Sequence, residues 1–291
     1  MIDSQKKTIK WGIIGAGRIA QTFATDIQYA GHASLQGIAS RQVDPAKVFA
    51  EEFSVPNYYG SYAAMLADPA IDAVYIATPH SHHRDQSIAA LNAGKHVLCE
   101  KPATVTSAEL EDVITVAKQQ GRYFMEGMWT YFMPVIQKTK RWVDEGRIGQ
   151  LCHVKADFGF PLPYDPNLRE YNNQLAGGCL LEMGIYPIAM AWLFLQKDPS
   201  SQSVWHHRAG NGVEESTLLN LSGRPGTGKS TILHILVCEA LLQKGPIRGE
   251  RRLLYLATTV ELLREAKNEI RGLLEYVYKA NPTQRKSSLE K

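Results

Sequence analysis

The apolar positions fall into two rhythms. Thr8–Ile14 (TIKWGII) is a short β-rich run, and from about Ile19 to Tyr29 apolar residues recur at helical spacing. Leu35–Ala39, Asp72–Thr78 (DAVYIAT), Lys95–Cys99 (KHVLC) and a run opening at Tyr123-Phe124-Met125 read as further strands, and Asp85–Ala93 and Ser107–Gln119 as helices. Strands alternating with helices of this length predict a parallel, doubly wound sheet. Farther on, Val213–Leu221 reads as a strand, Ser230–Leu242 (STILHILVCEALL) as a helix, Arg252–Ala257 as a strand and Val260–Tyr278 as a long helix.

The 291 residues suffice for two domains. With 44% hydrophobic and 21% charged residues, the chain is globular rather than disordered, collagenous or disulfide-stapled. The formal charge of +3 divides unevenly: residues 1–222 sum to −3 and residues 223–291 to +6, and the second segment holds no Asp and none of the five Trp. Such a shift hints at parts of separate origin. Met1–Lys7 lacks a signal-peptide pattern, and the longest apolar stretch, Met183–Leu195, is too short to span a bilayer. The four cysteines (Cys99, Cys152, Cys179, Cys238) form no CxxC pair. A cytoplasmic protein with reduced thiols and no membrane partner is expected.

Between the first strand and helix stands Gly15-Ala16-Gly17-Arg18-Ile19-Ala20. In this order Gly15 serves the tight turn, Gly17 the close approach of backbone to a pyrophosphate, and Ala20 the packing of helix on strand. The helix N-terminus offers free N–H groups to phosphate. The second strand ends in Ser40-Arg41, where NAD-specific sites carry an acid. A hydroxyl followed by a guanidinium suits a 2′-phosphate, so NADP(H) is preferred over NAD(H); a merely solvated Arg41 is the alternative. Ligands of such sheets lie at the carboxyl ends of strands, where Thr78-Pro79-His80 and Glu100-Lys101-Pro102 fall. His80, His82 and His83 follow a strand without a nearby Cys, a poor pattern for a metal.

The strings GAGRIA, ATPHSHH, AGKHVLCEKP and EGMWTYFMP resemble the Gfo/Idh/MocA family of NAD(P)-dependent oxidoreductases, over roughly residues 8–221. Within it they are most similar to the dihydrodiol dehydrogenase and glucose–fructose oxidoreductase branch. The resemblance implies a Rossmann domain followed by an open-sheet domain that walls the substrate site and forms a homodimer. It implies hydride transfer to or from a sugar, polyol or cyclic diol. The cofactor-binding positions it implies are Gly15, Gly17, Arg18, Ile19, Ala20, Ser40, Arg41, Thr78, Pro79, His80, His83, Glu100, Lys101 and Pro102, with Lys101 also reaching substrate. The string Gly177–Pro187 (GGCLLEMGIYP) matches the family's second-domain helix, with Glu182 where many members have Asp and Tyr186 where many have His. Lys101, Tyr186 and Glu182 are thus the catalytic candidates. Tyr186 could exchange the hydroxyl proton if the Lys101 ammonium favours its phenolate, and Glu182, four residues earlier, could orient substrate or relay a proton. From residue type alone, Tyr186 and Glu182 could equally be packed helix residues.

Beyond residue 222 the pattern changes. Gly223-Arg224-Pro225-Gly226-Thr227-Gly228-Lys229-Ser230 is a complete G-x-x-x-x-G-K-[ST] string between a predicted strand and a predicted helix. There Gly223, Gly226, Thr227, Gly228 and Lys229 would cradle ATP phosphates and Ser230 would ligate Mg²⁺; a glycine-rich loop without ligand is the alternative. Residues 216–291 resemble the opening of the first RecA-like domain of UvrD/Rep-type helicases. The segment has no Asp to hold Mg²⁺ and no second domain, so hydrolysis does not follow, and its basic charge reads as a solvated helix face more than a nucleic-acid surface. The expected fold class is α/β, with a Rossmann domain at 1–127, a truncated α+β open-sheet substrate domain at 128–215 and a partial P-loop α/β segment at 216–291. The two family pieces are joined near residues 214–223.

Overall fold

The structure, a computed structural model, describes residues 8–149, 151, 153–196, 198–222 and 232–238. Strands β1 (Ile9–Ile14), β2 (Ala33–Ala39), β3 (Asn57–Tyr59), β4 (Ala73–Ile76), β5 (His96–Cys99) and β6 (Phe124–Glu126) form an all-parallel sheet in the order β3-β2-β1-β4-β5-β6. Helices α1 (Arg18–Asp26), α2 (Val43–Phe53), α3 (Tyr62–Leu66), α4 (His83–Asn92) and α5 (Ser107–Gln120) make its crossovers. The central strands are apolar on both faces because both are covered. Ile14, Val74 and Ile76 pack into one buried cluster with Met65, Leu91 and Val113, while Ile13 and Tyr75 point the other way, against Ala20, Ile38 and Phe49. Thr106 caps α5 by accepting from the Glu109 N–H at 3.2 Å, and the Glu109 carboxylate accepts from Val105 N–H at 3.0 Å, so both orphan donors are satisfied. The segment 43–66, for which the apolar pattern predicts nothing, supplies α2, β3 and α3.

A second, four-stranded sheet runs β7-β10-β9-β8, built from β7 (His153–Gly159), β8 (Ser201–Arg208), β9 (Glu214–Ser222) and β10 (Ile232–Cys238). Helix α6 (Pro134–Asp144) precedes it, and α7 (Ile185–Leu195) packs on it, with Cys179 and Ala191 buried against Val154, Ile188, Leu219 and Leu221. Strand β9 pairs antiparallel with β8 from Glu214 to Ser222, with a register shift that skips Glu215, and with β10 from Ser216 to Ser222. The helix predicted over Ser230–Leu242 is corrected within residues 232–238. ILHILVC pairs antiparallel with β9 and parallel with β7, residue for residue. Hydrogen-bond partners on both sides override a helical spacing that, in so short an apolar run, never separated helix from strand. The string Gly223–Ser230, including Gly223, Gly226, Thr227, Gly228, Lys229 and Ser230, lies outside the described residues, as do the elements predicted at 252–257 and 260–278.

The stretch Asn173–Leu195 has the length and the mean hydropathy, 1.6, of a membrane span. Its α-helical part is only α7, preceded by a 3-10 turn (Asn173–Leu175), the left-handed Ala176 and a π-helical turn (Leu180–Gly184). Eleven residues of helix rise about 17 Å, against about 30 Å of hydrocarbon.

Candidate active site

The loop after β1 opens onto the carboxyl ends of the strands, where the order turns from β2 through β1 to β4. Gly15 has φ +97°, and a Cβ there would lie 2.9 Å from both the Ala77 carbonyl oxygen and Thr78 Cγ2, so the crossing of β1 over the β4 loop requires glycine. Gly17 differs: a Cβ would meet nothing within 4 Å, and no side chain caps α1. The uncapped N–H groups and the open space face a cleft of about 860 Å³, so the cradle fits a phosphate. Ala20, on the inner face of α1, is fully buried. Ser40, Arg41 and Tyr62 line the same cleft, with the Arg41 charge acting on the Tyr62 hydroxyl.

The loops after β4 and β5 form the middle. Thr78 Oγ1 donates to Gln86 Oε1 at 2.6 Å. His83, wholly buried, sets its two ring nitrogens 2.8 Å from the carbonyl oxygens of Pro102 and Thr78, which ties the two loops together. Glu100 accepts from the Tyr75 hydroxyl and from Lys101 N–H. Ala20, His83 and Pro102 support the wall from behind; the other expected residues of this domain line the cleft.

The facing wall comes from the second domain. A Cβ on Gly177 would lie 2.5 Å from the Arg169 carbonyl oxygen and 2.6 Å from that of Glu170, so this glycine lets the turn Arg169–Tyr171 lie against the π-helical turn. That turn holds Glu182, 5% exposed, with Arg169 Nη1 2.6 Å from Oε1 and Nη2 donating to Oε2 at 3.1 Å. Lys101 Nζ reaches across to donate to the Glu182 main-chain oxygen at 2.8 Å and lies 3.9 Å from Oε2. His80 bridges the same gap, its Nδ1 3.1 Å from the Ala176 oxygen and its Nε2 3.6 Å from Glu182 Oε1. Lys101 Nζ also stands 5.0 Å from the centroid of the Tyr186 ring, while the Tyr186 hydroxyl accepts from Trp129 Nε1 at 3.2 Å.

Burial dominates the proton affinities. It pushes Tyr186 above the usual phenol value, only partly offset by the Trp129 donor, and Glu100 and Glu182 push the same way. It raises Glu182 too, while Arg169 and then Lys101 pull the carboxyl back down. It lowers His80 to about 3, so that ring is neutral at pH 7. Lys101 Nζ faces the ring of Tyr186, and the raised phenol keeps its proton at neutral pH.

The structure brings Lys101, Glu182 and Tyr186 into one cleft with Gly15–Ile19, Ser40, Arg41 and Thr78–His80. Sequence reasoning missed Arg169, Glu170, Trp129, Tyr62 and Gln86, which line it as well. Trp129 lies within EGMWTYFMP, the one signal that could have found it; Arg169 sits in an aperiodic segment that carried none.

Residues 9–128 match the oxidoreductase family with an NAD-binding Rossmann fold, and residues 136–228 match the GFO/IDH/MocA C-terminal domain. The chain is 36% identical to trans-1,2-dihydrobenzene-1,2-diol dehydrogenase of Mus musculus, over 74% of this chain and 66% of that one. Against its Xenopus laevis counterpart the identity is 31%, over 85% and 74%. D-xylose 1-dehydrogenase (NADP(+)) of Hypocrea jecorina is 34% identical over 78% and 61%. A 3-ketoreductase from Actinomadura kijaniata, solved with NADP and TDP-benzene, superposes with a TM-score of 0.70 at 31% identity, over 80% of this chain and 71% of that chain. The chain spans just under two thirds of the length of the mouse relative and of the one from Bos taurus, at 66% and 64%. Both parts of the chain match models of one family, and the relatives agree: the chain belongs to the Gfo/Idh/MocA family.

Proposed function

We propose that the protein is an NADP(H)-dependent oxidoreductase that moves a hydride between the nicotinamide and a hydroxyl-bearing carbon of a sugar, polyol or cyclic diol. The observation that carries this reading is the convergence of Lys101, Glu182 and Tyr186, from two domains, at the far end of a cleft that begins at an uncapped helix N-terminus. The cofactor, when bound, supplies the hydride acceptor or donor. Gly15–Ile19 and the N-terminus of α1 hold its pyrophosphate, and Arg41, beside Ser40 and Tyr62, meets a 2′-phosphate.

Tyr186 and Lys101 manage the proton. Tyr186 keeps its proton at neutral pH and is a ready donor to a carbonyl oxygen, and the Lys101 ammonium stabilises the negative charge growing there. Run toward the carbonyl, the same pair removes the hydroxyl proton, so oxidation should speed up as pH rises. Trp129 and Phe160 give the cleft apolar walls for the faces of a ring-shaped substrate. Fluorescence titration with NADPH, followed by assays with trans-dihydrodiols and pentoses, tests the reading; no detectable NADPH binding would sink it. The competing site for ATP-Mg²⁺ at Gly223–Ser230 needs a helix directly after the loop, and Ile232–Cys238 is a strand.

A further inference from the structure

The Glu182 carboxyl is almost closed to solvent and stands among charged and titratable groups from three elements. Arg169 and Glu170 face it from the turn Arg169–Tyr171, Lys101 from the loop after β5 and His80 from the loop after β4, with Tyr186 farther along its own helix. The two cations are not equivalent. The Arg169 guanidinium donates one hydrogen bond to Oε2 at 3.1 Å and sets its other nitrogen 2.6 Å from Oε1, an ion-pair contact without hydrogen-bond alignment, whereas Lys101 Nζ lies 3.9 Å from the carboxylate and spends its closer bond, 2.8 Å, on the main-chain oxygen. Coulomb attraction falls with distance and a planar fork matches a carboxylate, so Arg169 is the principal counter-ion. Its carbonyl is in turn pressed against Gly177, where no side chain fits, so the turn that carries it is fixed relative to Glu182.

We propose that Arg169 is a positioning residue that keeps Glu182 ionised and its carboxylate turned away from Lys101, leaving the ammonium charge for the reacting oxygen. Glu170 tempers this grip, as its carboxylate lies 3.3 Å from Arg169 Nη2. Burial pushes the Glu182 carboxyl up, and Arg169 is the largest influence opposing it. A neutral Glu182 would no longer hold the guanidinium, and the Lys101–Tyr186 pair would face an uncompensated cation. The ionisation of Glu182 is independent of the proposed activity; its catalytic consequence rests on the oxidoreductase reading.

The test is an infrared pH titration of the full chain without cofactor, following the Glu182 carboxyl band assigned by its loss in Glu182→Gln. Arg169→Gln should raise the midpoint by roughly 1–3 pH units. Arg169→Lys should restore most of the difference, since it returns the charge without the fork. In diol oxidation, the acid limb of the kcat/KM profile should move upward by the same amount in Arg169→Gln, with the KM for NADP unchanged. An unshifted infrared midpoint in Arg169→Gln overturns the proposal even if that variant loses stability or activity. Should Arg169→Gln fail to fold, Arg169→Met decides in its place: a raised midpoint supports the proposal and an unchanged one overturns it. A wild-type chain that oxidises no diol or sugar would remove the oxidoreductase reading while leaving the infrared shift in place, so the two fail separately.

Discussion

Tyr186 meets Lys101 through its ring and Trp129 through its hydroxyl, and that geometry determines what single substitutions do. Tyr186→Phe removes a proton donor but little apolar contact, so the turnover rate should fall by about 10²–10⁴-fold with thermal stability nearly unchanged; steady-state kinetics beside calorimetry would show it. His80 carries a pH dependence. Burial holds its pKa near 3, below the 6.5 of an unfolded chain, so the folded state binds fewer protons between those values and loses stability as pH falls through that window. Urea midpoints of wild type should therefore drop from pH 6.5 toward pH 4 more steeply than those of His80→Gln. That Lys101, Glu182 and Tyr186 would face one cleft was legible only through the family strings that contain them, since residue type alone left Tyr186 and Glu182 open to a packing role. Arg169 was not, because its place depends on a contact between a 3-10 turn and Gly177 that leaves no trace in apolar spacing.

Glycines that look alike in the sequence differ at the scale of the elements they join. Gly17→Ala meets no protein atom, so its melting temperature should match wild type while NADPH affinity falls at least about tenfold, the new methyl occupying the phosphate cradle. Gly177→Ala meets two backbone oxygens, so it should cost about 1–3 kcal/mol in urea unfolding and weaken turnover by displacing the Arg169 turn. Equal effects of the two changes on stability would contradict both assignments. The parallel strands β1, β4 and β5 were readable as continuous apolar runs because they are covered on both faces. Strand β8 was not, because all eight of its residues are exposed and show no alternation. Strand β10 was misread as helix, since one of its two partners, β7, is remote in sequence and a short apolar run does not separate helix from strand.

On the scale of the whole molecule, the cleft is closed by polar contacts between domains, Lys101 to the Glu182 oxygen and His80 to the Ala176 oxygen. A cofactor held by the first domain therefore also stabilises the second. NADPH at 100 times its dissociation constant should add about 2.7 kcal/mol and raise the melting transition by several degrees, as a single shifted transition. A second, unshifted transition from the residues 136–222 region would show instead that the halves unfold independently. The apolar pattern foreshadows the parallel sheet of the first domain better than the second sheet, where β10 pairs with the sequence-distant β7 and β8 shows no alternation.

The bond from Lys101 to position 182 ends on a main-chain oxygen, and the backbone carries that oxygen whatever the side chain. Drift at this position, from aspartate to glutamate or onward, can thus retune the carboxylate without unseating the lysine. One residue carries two heritable traits, and natural variation has licence to change only one of them.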